Sequence, residues 1–378
     1  MCAVVATASG SGYYAVFTVV LVIVAAVLGF VVRRERETLV AGGAVVAAIA
    51  AVSLVQLAPT IVYRAVNGPN DEVAMRFWFE SENYSLRLTN LLLPVDGHRI
   101  GALARWKNEY TEQITQTEAR SATLGIIGSI GLVWLVAVAV AAVAGIGRRY
   151  ELGLHAGLAT LTITAILLAT TGGFSTFVAV IWPQIRAWNR LSVFIAFFSL
   201  TAVALLLGLV ERRLRGLVFA GVLAVVLAVG VFDQTTKAYV PPYDAVKSAW
   251  DADAAAFAAL GARLPAGASV VQVPYEPFPE PAATPYGIYE PAKAYLHSDG
   301  VHWSWGAMRG RPEDWAATIA GKPAVEVVSA ARAEGFTGVL LDRVALGAAA
   351  AATEADYQSA LGSPPEQLPG GRWVFFQL

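Results

Sequence analysis

The sequence predicts an α-helical membrane bundle of about six transmembrane helices, followed by a C-terminal extracytoplasmic α/β domain. Three observations carry this. Hydrophobic residues make up 56% of the 378 positions and charged residues only 15%, against about 25% charged in a soluble domain. The long apolar runs concentrate before residue 233. Beyond it, charges, prolines and short β-rich runs alternate as in a water-exposed unit. Residues 1–232 therefore read as the transmembrane domain and 233–378 as the α/β domain.

A helix needs roughly 20 apolar residues to cross the hydrocarbon layer. Six runs meet or approach that length: Tyr13–Val32, Leu39–Val62, Leu124–Ile146, Leu152–Thr171, Leu191–Val210 and Leu217–Phe232. They are rich in Ala, Gly and Val, which lets helices approach closely in lipid. None of the six cores holds Asp, Glu, Lys or Arg. An ion-coupled carrier usually keeps such a group at mid-membrane, so transport through a charged relay is disfavoured. The run Gly172–Trp182 is too short to cross and ends at Pro183. With the residues that follow, it reads as an interfacial or re-entrant segment spanning 172–190.

Orientation follows from arginines in short loops. Arg33, Arg34 and Arg36 follow the first run, Arg148 and Arg149 the third, and Arg212, Arg213 and Arg215 the fifth. If every run crosses once, all three clusters face the cytoplasm. Both chain ends and the long loop 63–123 then lie outside, and the protein is a multi-pass cytoplasmic membrane protein. The loop's own Arg and Lys residues weigh little, because long segments translocate regardless of charge.

Composition also limits the chemistry. The formal net charge of −1 leaves no basic excess for phosphate backbones, so no nucleic-acid partner is expected. The single cysteine, Cys2, excludes an intrachain disulfide or a zinc site built on several thiolates. No glycine loop with lysine for nucleotide phosphates and no nucleophile elbow is present. No metal site is assigned. No cofactor is implied, and a divalent cation stays an option.

The loop 63–123 is too long for a passive connector and reads as helical pieces on the outer leaflet. FWFESENYSLRL mixes aromatics with Glu80, Glu82 and Arg87, which suits the headgroup layer. In LLLPVDGHR, Pro94 and Gly97 force a turn that gathers Asp96, His98 and Arg99. His98 and Arg99 would grip a lipid-linked phosphate, or the cluster is a capped turn with a solvated ion pair. Arg186 and Arg190 are four residues apart, which places both on one face of a helix. They form a phosphate clamp or a pair of interfacial anchors.

In the C-terminal part, Asp251–Leu264, Pro312–Ala320 and Ala324–Glu334 read as helices, and GAAAAATEADYQSAL as one more. SVVQVPY, FTGVLLDRV and RWVFFQL read as strands of a mostly parallel sheet. PFPEPAATPYG reads as a rim or lid. AYLHSDGVHWSWGAMRGRPEDW gathers His302, Trp303, Trp305, Arg309 and Arg311. Aromatics beside cations suit sugar stacking and phosphate contacts. They suit equally an ordered loop packed on the sheet.

LLLPVDGHR, NEYTEQITQTEARSATLGIIGSIGLVWL, TTGGFSTFVAVIWPQIRAWNRLSVFIAFFSL and the outer FPEP, YLHSDGVHWSWGAMRGR and GFTGVLLDRV motifs together carry a resemblance. Over about residues 60–378 the chain resembles the C-terminal part of a bacterial family of large polytopic proteins similar to GT-C-type glycosyltransferases. Some relatives are labelled phosphoglycerol transferases or sugar translocases. The resemblance implies an enzyme of cell-envelope glycan synthesis that takes a polyprenyl-phosphate sugar, or another lipid-linked substrate, at the outer face. Such enzymes carry an acidic residue in the first outer loop. Here the first two runs are joined by Arg33–Glu37 on the cytoplasmic side. The implied catalytic acid would lie upstream in a longer chain, or the copy is inactive. Within this chain Asp96 and Glu82 are the nominees for an acid that activates the acceptor, and Arg99, Arg186 and Arg190 for the leaving phosphate. The alternatives are a non-catalytic module binding glycans or partner proteins, and a translocase for lipid-linked sugars, which would need a polar path through the spans.

Overall fold

The computed structural model describes residues 12–72, 75–114, 118–145, 153–279 and 287–378. The chain divides into two compact units. One holds the apolar helices and runs through residues 12–67 and 76–240; the other joins residues 68–75 to 241–378.

The first unit is a helical bundle. Its long helices are α1 (Gly12–Arg33), α2 (Arg36–Asn67), α3 (Gly101–Gln113), α4 (Gly125–Val143), α5 (Gly153–Ala169), α6 (Ser192–Glu211, entered through a 3-10 turn at Trp188–Leu191) and α7 (Gly216–Gln234). Among the described residues, five helices are long and apolar enough to cross a membrane: α1, α2, α4, α6 with its 3-10 lead-in, and α7. The fourth predicted run forms α5, of 17 residues, at the short end of the spanning range. The protein is thus a multi-pass membrane protein. Arg148 and Arg149 lie outside the described residues.

The packing follows from small side chains. Modest apolar faces give little grip in lipid, so helices associate where backbones come close. A β-carbon on Gly29 would stand 2.6 Å from the Thr38 side chain, and one on Gly42 2.5 Å from Ala26, which draws α1 and α2 into a hairpin. A β-carbon on Gly131 would collide with the Ser199 carbonyl, so α4 lies backbone to backbone on α6. Phe17, Leu132, Leu135, Leu158, Ala165, Ile195 and Phe198 close one core between α1, α4, α5 and α6. The outer surfaces stay apolar: on α2, Val40, Leu54, Val55, Ile61 and Val66 are exposed. A surface of that kind needs lipid to cover it.

The Phe17 and Trp188 rings lie 5.4 Å apart, so α1 and α6 start at the same end of the bundle. The loop after α2 is hydrogen-bonded into that end. Leu86 N–H donates to the Ala169 carbonyl, Asn189 N–H to Tyr84, and Leu124 N–H to Leu91. The expected interfacial segment is an eight-residue helix, Phe174–Ile181, about 12 Å long. It starts sharply because a β-carbon on Gly173 would meet the Leu167 and Thr170 carbonyls.

The second unit carries a five-stranded sheet, with β1 (Ser269–Val273), β2 (His302–Trp303), β3 (Gly338–Asp342), β4 (Glu366–Gln367) and β5 (Trp373–Gln377) in the order β2-β1-β3-β5-β4. β1 runs parallel to β2 and β3, while β5 is antiparallel to β3 and β4. This corrects the expectation of a mostly parallel sheet. Gly370 and Gly371 adopt φ of 81° and 70°, a left-handed turn that folds β5 back on β4. Helices α8 (Tyr243–Gly261), α9 (Ala324–Ala333) and α10 (Ala350–Leu361) cover the sheet. Strand residues alternate between faces: Val271, Val339, Leu341 and Phe376 pack under α9 and α10, and Val270, Leu340 and Phe375 pack against Phe257 and Leu260 of α8. The helix expected at Pro312–Ala320 is only a 3-10 turn at Trp315–Ile319.

The close α4–α6 approach yields a test. Gly131→Ala should lower stability by about 1–3 kcal/mol through overpacking. Gly208→Ala, where a β-carbon meets open space, should change little. Thermal unfolding of both variants in detergent measures the difference.

Candidate functional site

At the loop-bearing end of the bundle, one buried carboxylate joins three segments. Asp233, in the last turn of α7, accepts a hydrogen bond from Ile126 N–H at 2.8 Å, so it caps α4 across the bundle. Its other oxygen lies 3.3 Å from His98 Nε2. His98 Nδ1 accepts from Ile100 N–H at 3.0 Å, which places the ring proton on Nε2, toward Asp233. Gly125 has φ +66° and no room for a β-carbon against Asp233 and Gln234. Arg99 donates to the carbonyl and hydroxyl of Thr235 at 3.2 and 2.9 Å and lies over Phe232. Thr236 hydroxyl donates to the Gly97 carbonyl at 2.7 Å. The turn around Gly97 is therefore a clasp on the end of α7, and His98 and Arg99 serve it.

Asp96 lies beside this clasp. Arg120 Nε donates to its Oδ2 at 2.9 Å. Oδ1 is buried with no hydrogen-bond partner. Lys107 is fully buried and donates to the Arg120 carbonyl at 2.8 Å. Burial holds its pKa below the ordinary lysine value, and the Asp96 charge opposes that shift. Glu82, the other nominated acid, accepts from Gly172 N–H at 2.9 Å and from the Thr176 hydroxyl. It ties the loop to the turn before the short helix and to the hydroxyl in that helix's first turn.

The two clamp arginines do not share a helical face. Residues 183–187, after Pro183, are irregular, and Arg190 sits in a 3-10 turn. Nor are they unpaired cations. Arg186 donates to Glu80 at 2.9 Å and stacks over Tyr84; Arg190 pairs with Glu118 at 3.1 Å and stacks over Tyr13. A ligand phosphate would have to displace both carboxylates.

In the sheet unit, the predicted aromatic and cationic residues divide. His302 and Trp303 form the edge strand β2; His302 is exposed, and Trp303 Nε1 donates to Ser298 at 2.9 Å. Arg309 N–H donates to the Phe278 carbonyl at 2.7 Å, and its own carbonyl accepts from Asn70 at 2.9 Å. Arg311 donates to the Gly68 carbonyl at 3.0 Å. These contacts fasten residues 68–72 within the unit. Trp305 faces Phe278 and Tyr289, with ring centroids 5.2 and 6.2 Å away. Its Nε1 and the Arg309 Nε are buried without hydrogen-bond partners.

The residue that the sequence did not single out is Glu276. Only 4% exposed, it accepts from Tyr289 N–H at 3.3 Å through Oε1, while Oε2 has no partner. Burial raises its pKa, and the nearby Glu290 and Asp342 add to the rise. Tyr275 beside it donates to Asp314 at 2.7 Å; burial pushes its phenol upward, reinforced by that bond. The signal was positional: Glu276 follows directly on the carboxyl end of a parallel strand, where open α/β sheets bind ligands. A buried donor, a buried acceptor and three aromatic rings thus meet in one place. The stretch expected as a lid lies mostly outside the described residues, at 280–286. No three His, Cys, Asp or Glu side chains converge to hold a metal among the described residues. Compared with protein families, curated proteins and solved structures, the chain matches none.

Two outcomes follow. Asp233→Ala strips the cap from α4 and should cost about 1–3 kcal/mol, read as a lowered unfolding midpoint in detergent. Glu276 is held above its unfolded pKa, so the stability it contributes is present at low pH and is lost as pH rises through its raised value. Glu276→Gln should therefore raise the unfolding midpoint at pH 8 and leave it unchanged at pH 4.

Proposed function

We propose that the protein recognises glycans at the outer face of the cytoplasmic membrane, as the binding part of a GT-C-like glycosyltransferase system for cell-envelope synthesis. The observation that carries this reading is the Phe278, Tyr289 and Trp305 cluster set beside the unpartnered Trp305 Nε1 and Glu276 Oε2. Aromatic faces stack on the C–H faces of sugar rings. A hydroxyl both donates and accepts, so sugar hydroxyls would supply the partners that the indole and the carboxyl lack. The helical unit supplies the membrane anchor. Arginine clusters at Arg33–Arg36 and Arg212–Arg215 favour a cytoplasmic position for that end of the bundle. The α/β unit would then stand outside.

A second reading, glycosyl transfer by this chain itself, is favoured by Asp96. Its Oδ1 is buried without a partner, which is the state of a carboxylate awaiting an acceptor hydroxyl. Displacement of polyprenyl phosphate from the anomeric carbon would then need cations that are not already committed, and Arg186 and Arg190 are paired.

One experiment tests both readings. Full-length protein in nanodiscs is titrated with neutral oligosaccharides, and polyprenyl-phosphate sugar is supplied with an acceptor glycan. Recognition predicts oligosaccharide binding that weakens about tenfold or more in Trp305→Ala. Transfer predicts release of polyprenyl phosphate that stops in Asp96→Asn. If the parent protein shows neither binding nor release, the proposal is overturned.

A further inference from the structure

A cavity of about 250 Å³ opens at the carboxyl edge of β1, between the start of α9 and the side of α10. Glu276 and Trp305 do not line it, although Gln272, which accepts from Trp305 N–H, and Tyr275 do. Crevices outside the carboxyl ends of parallel strands are where open α/β sheets take ligands.

The walls are chemically unequal. On one side stands the N-terminus of the ten-residue helix α9, whose first N–H groups at Ala324 and Val325 have no acceptor within the helix. These groups carry partial positive charge. Lys322 lies at the same rim, exposed, with no ion pair among the described residues. Tyr357 lines the cavity from α10 and is 3% exposed. Its ring is held against Phe376, and its hydroxyl has no hydrogen-bond partner among the described residues. Burial keeps that phenol protonated, with its pKa pushed up to about 12. The Ala324 N–H, an ammonium and a phenol therefore line the cavity as donors. Facing the start of α9 from α10, on the same helix as Tyr357, are acceptors: the Asp356 carboxylate, and the Thr353 oxygen, whose own proton goes to the Ala349 carbonyl at 2.9 Å.

A cavity that combines these donors with a carboxylate does not suit a simple anion, because Asp356 would repel it. It suits a ligand with an anionic end and a hydroxylated end. We propose that this cavity binds a small phosphorylated sugar or polyol. The phosphate would lie at the start of α9 beside Lys322 and Tyr357, and the hydroxyls would donate to Asp356. The available volume admits a molecule of monosaccharide size. Lys322 and the α9 amides meet the phosphate oxygens by the general logic of anion binding at helix starts. Asp356 gives the selection against bare phosphate.

The test is a calorimetric titration of the full-length protein in detergent with three probes: a hexose 1-phosphate, the unphosphorylated hexose and inorganic phosphate. The hexose phosphate should bind most tightly and the unphosphorylated hexose least. Lys322→Gln and Tyr357→Phe should each weaken hexose phosphate by about tenfold, the loss of one charge-assisted or one buried hydrogen bond. Asp356→Asn should bring inorganic phosphate closer to hexose phosphate in affinity. Lys322 is on the exposed rim, so its variant decides the matter even if Tyr357→Phe disturbs packing. Trp305→Ala should leave this binding unchanged, which separates the site from the glycan surface. Absence of binding by the parent at millimolar hexose phosphate, or parent-like affinity in Lys322→Gln, overturns the proposal.

Discussion

The helical unit depends on satisfying backbone polar groups where helices end against an apolar layer. Water supplies partners at an exposed helix end, and hydrocarbon supplies none. At the loop-bearing end, Asp233 answers this requirement for α4 from the far side of the bundle. Because the same carboxylate faces His98, the turn at Gly97 is drawn onto the end of α7. The first turn of α4, the last turn of α7 and the loop between α2 and α4 thus share one buried anchor. Gly125 is part of the arrangement, since any side chain there would occupy the space of the carboxylate.

The same economy of charge explains the arginines. An arginine at the edge of an apolar bundle carries a large desolvation cost when its charge is unmatched. Arg186, Arg190 and Arg120 each meet a carboxylate, and the first two also lie over tyrosine rings. The partners come from the long loop: Glu80, Asp96 and Glu118. Pairing of this kind pins the loop to the bundle at several points. It also takes these cations out of contention as ready-made phosphate ligands. Among the buried atoms at this end without a hydrogen-bond partner is one oxygen of Asp96.

The sheet unit manages charge differently. Asp342, Arg372, Glu290 and Lys293 form a connected chain of ion pairs beyond β3. Burial alone would raise Glu290, yet hydrogen bonds from Lys293 and Arg372 hold it below the ordinary glutamate range. Glu276, close to that network, receives only one backbone N–H and is pushed the other way. Two carboxylates near each other therefore have opposite tendencies, set by which one the cations reach. The chemistry of this unit gathers beyond the carboxyl ends of β1 and β3, in two separate places. One is built on aromatic rings and the other on a helix start.

Five of the six runs were legible from residue order as helices of crossing length, because crossing is a matter of local length and apolarity; the fourth forms the shorter α5. β1 and β3 were legible too, as short β-branched runs bounded by glycine or proline, and α9 by its periodicity and its terminal glycine. The reversed direction of β5 was not, because strand direction depends on the turn that joins it to β4. The same holds for the site. Asp96, His98 and Arg99 could be picked out as a cluster from a single turn, but the roles of His98 and Arg99 depend on Asp233 and Thr235, more than a hundred residues away, and that of Asp96 on Arg120. Arg186 and Arg190 looked like a pair by spacing; only the packing of the loop gave each its own carboxylate. Glu276 looked like one more acid among prolines, and burial beside Tyr289 and Trp305 made it distinctive. Sequence alone determines what a segment can cross or pair with locally. Which charges are matched, and which buried groups are left unmatched, is decided by the distant segments that packing brings alongside.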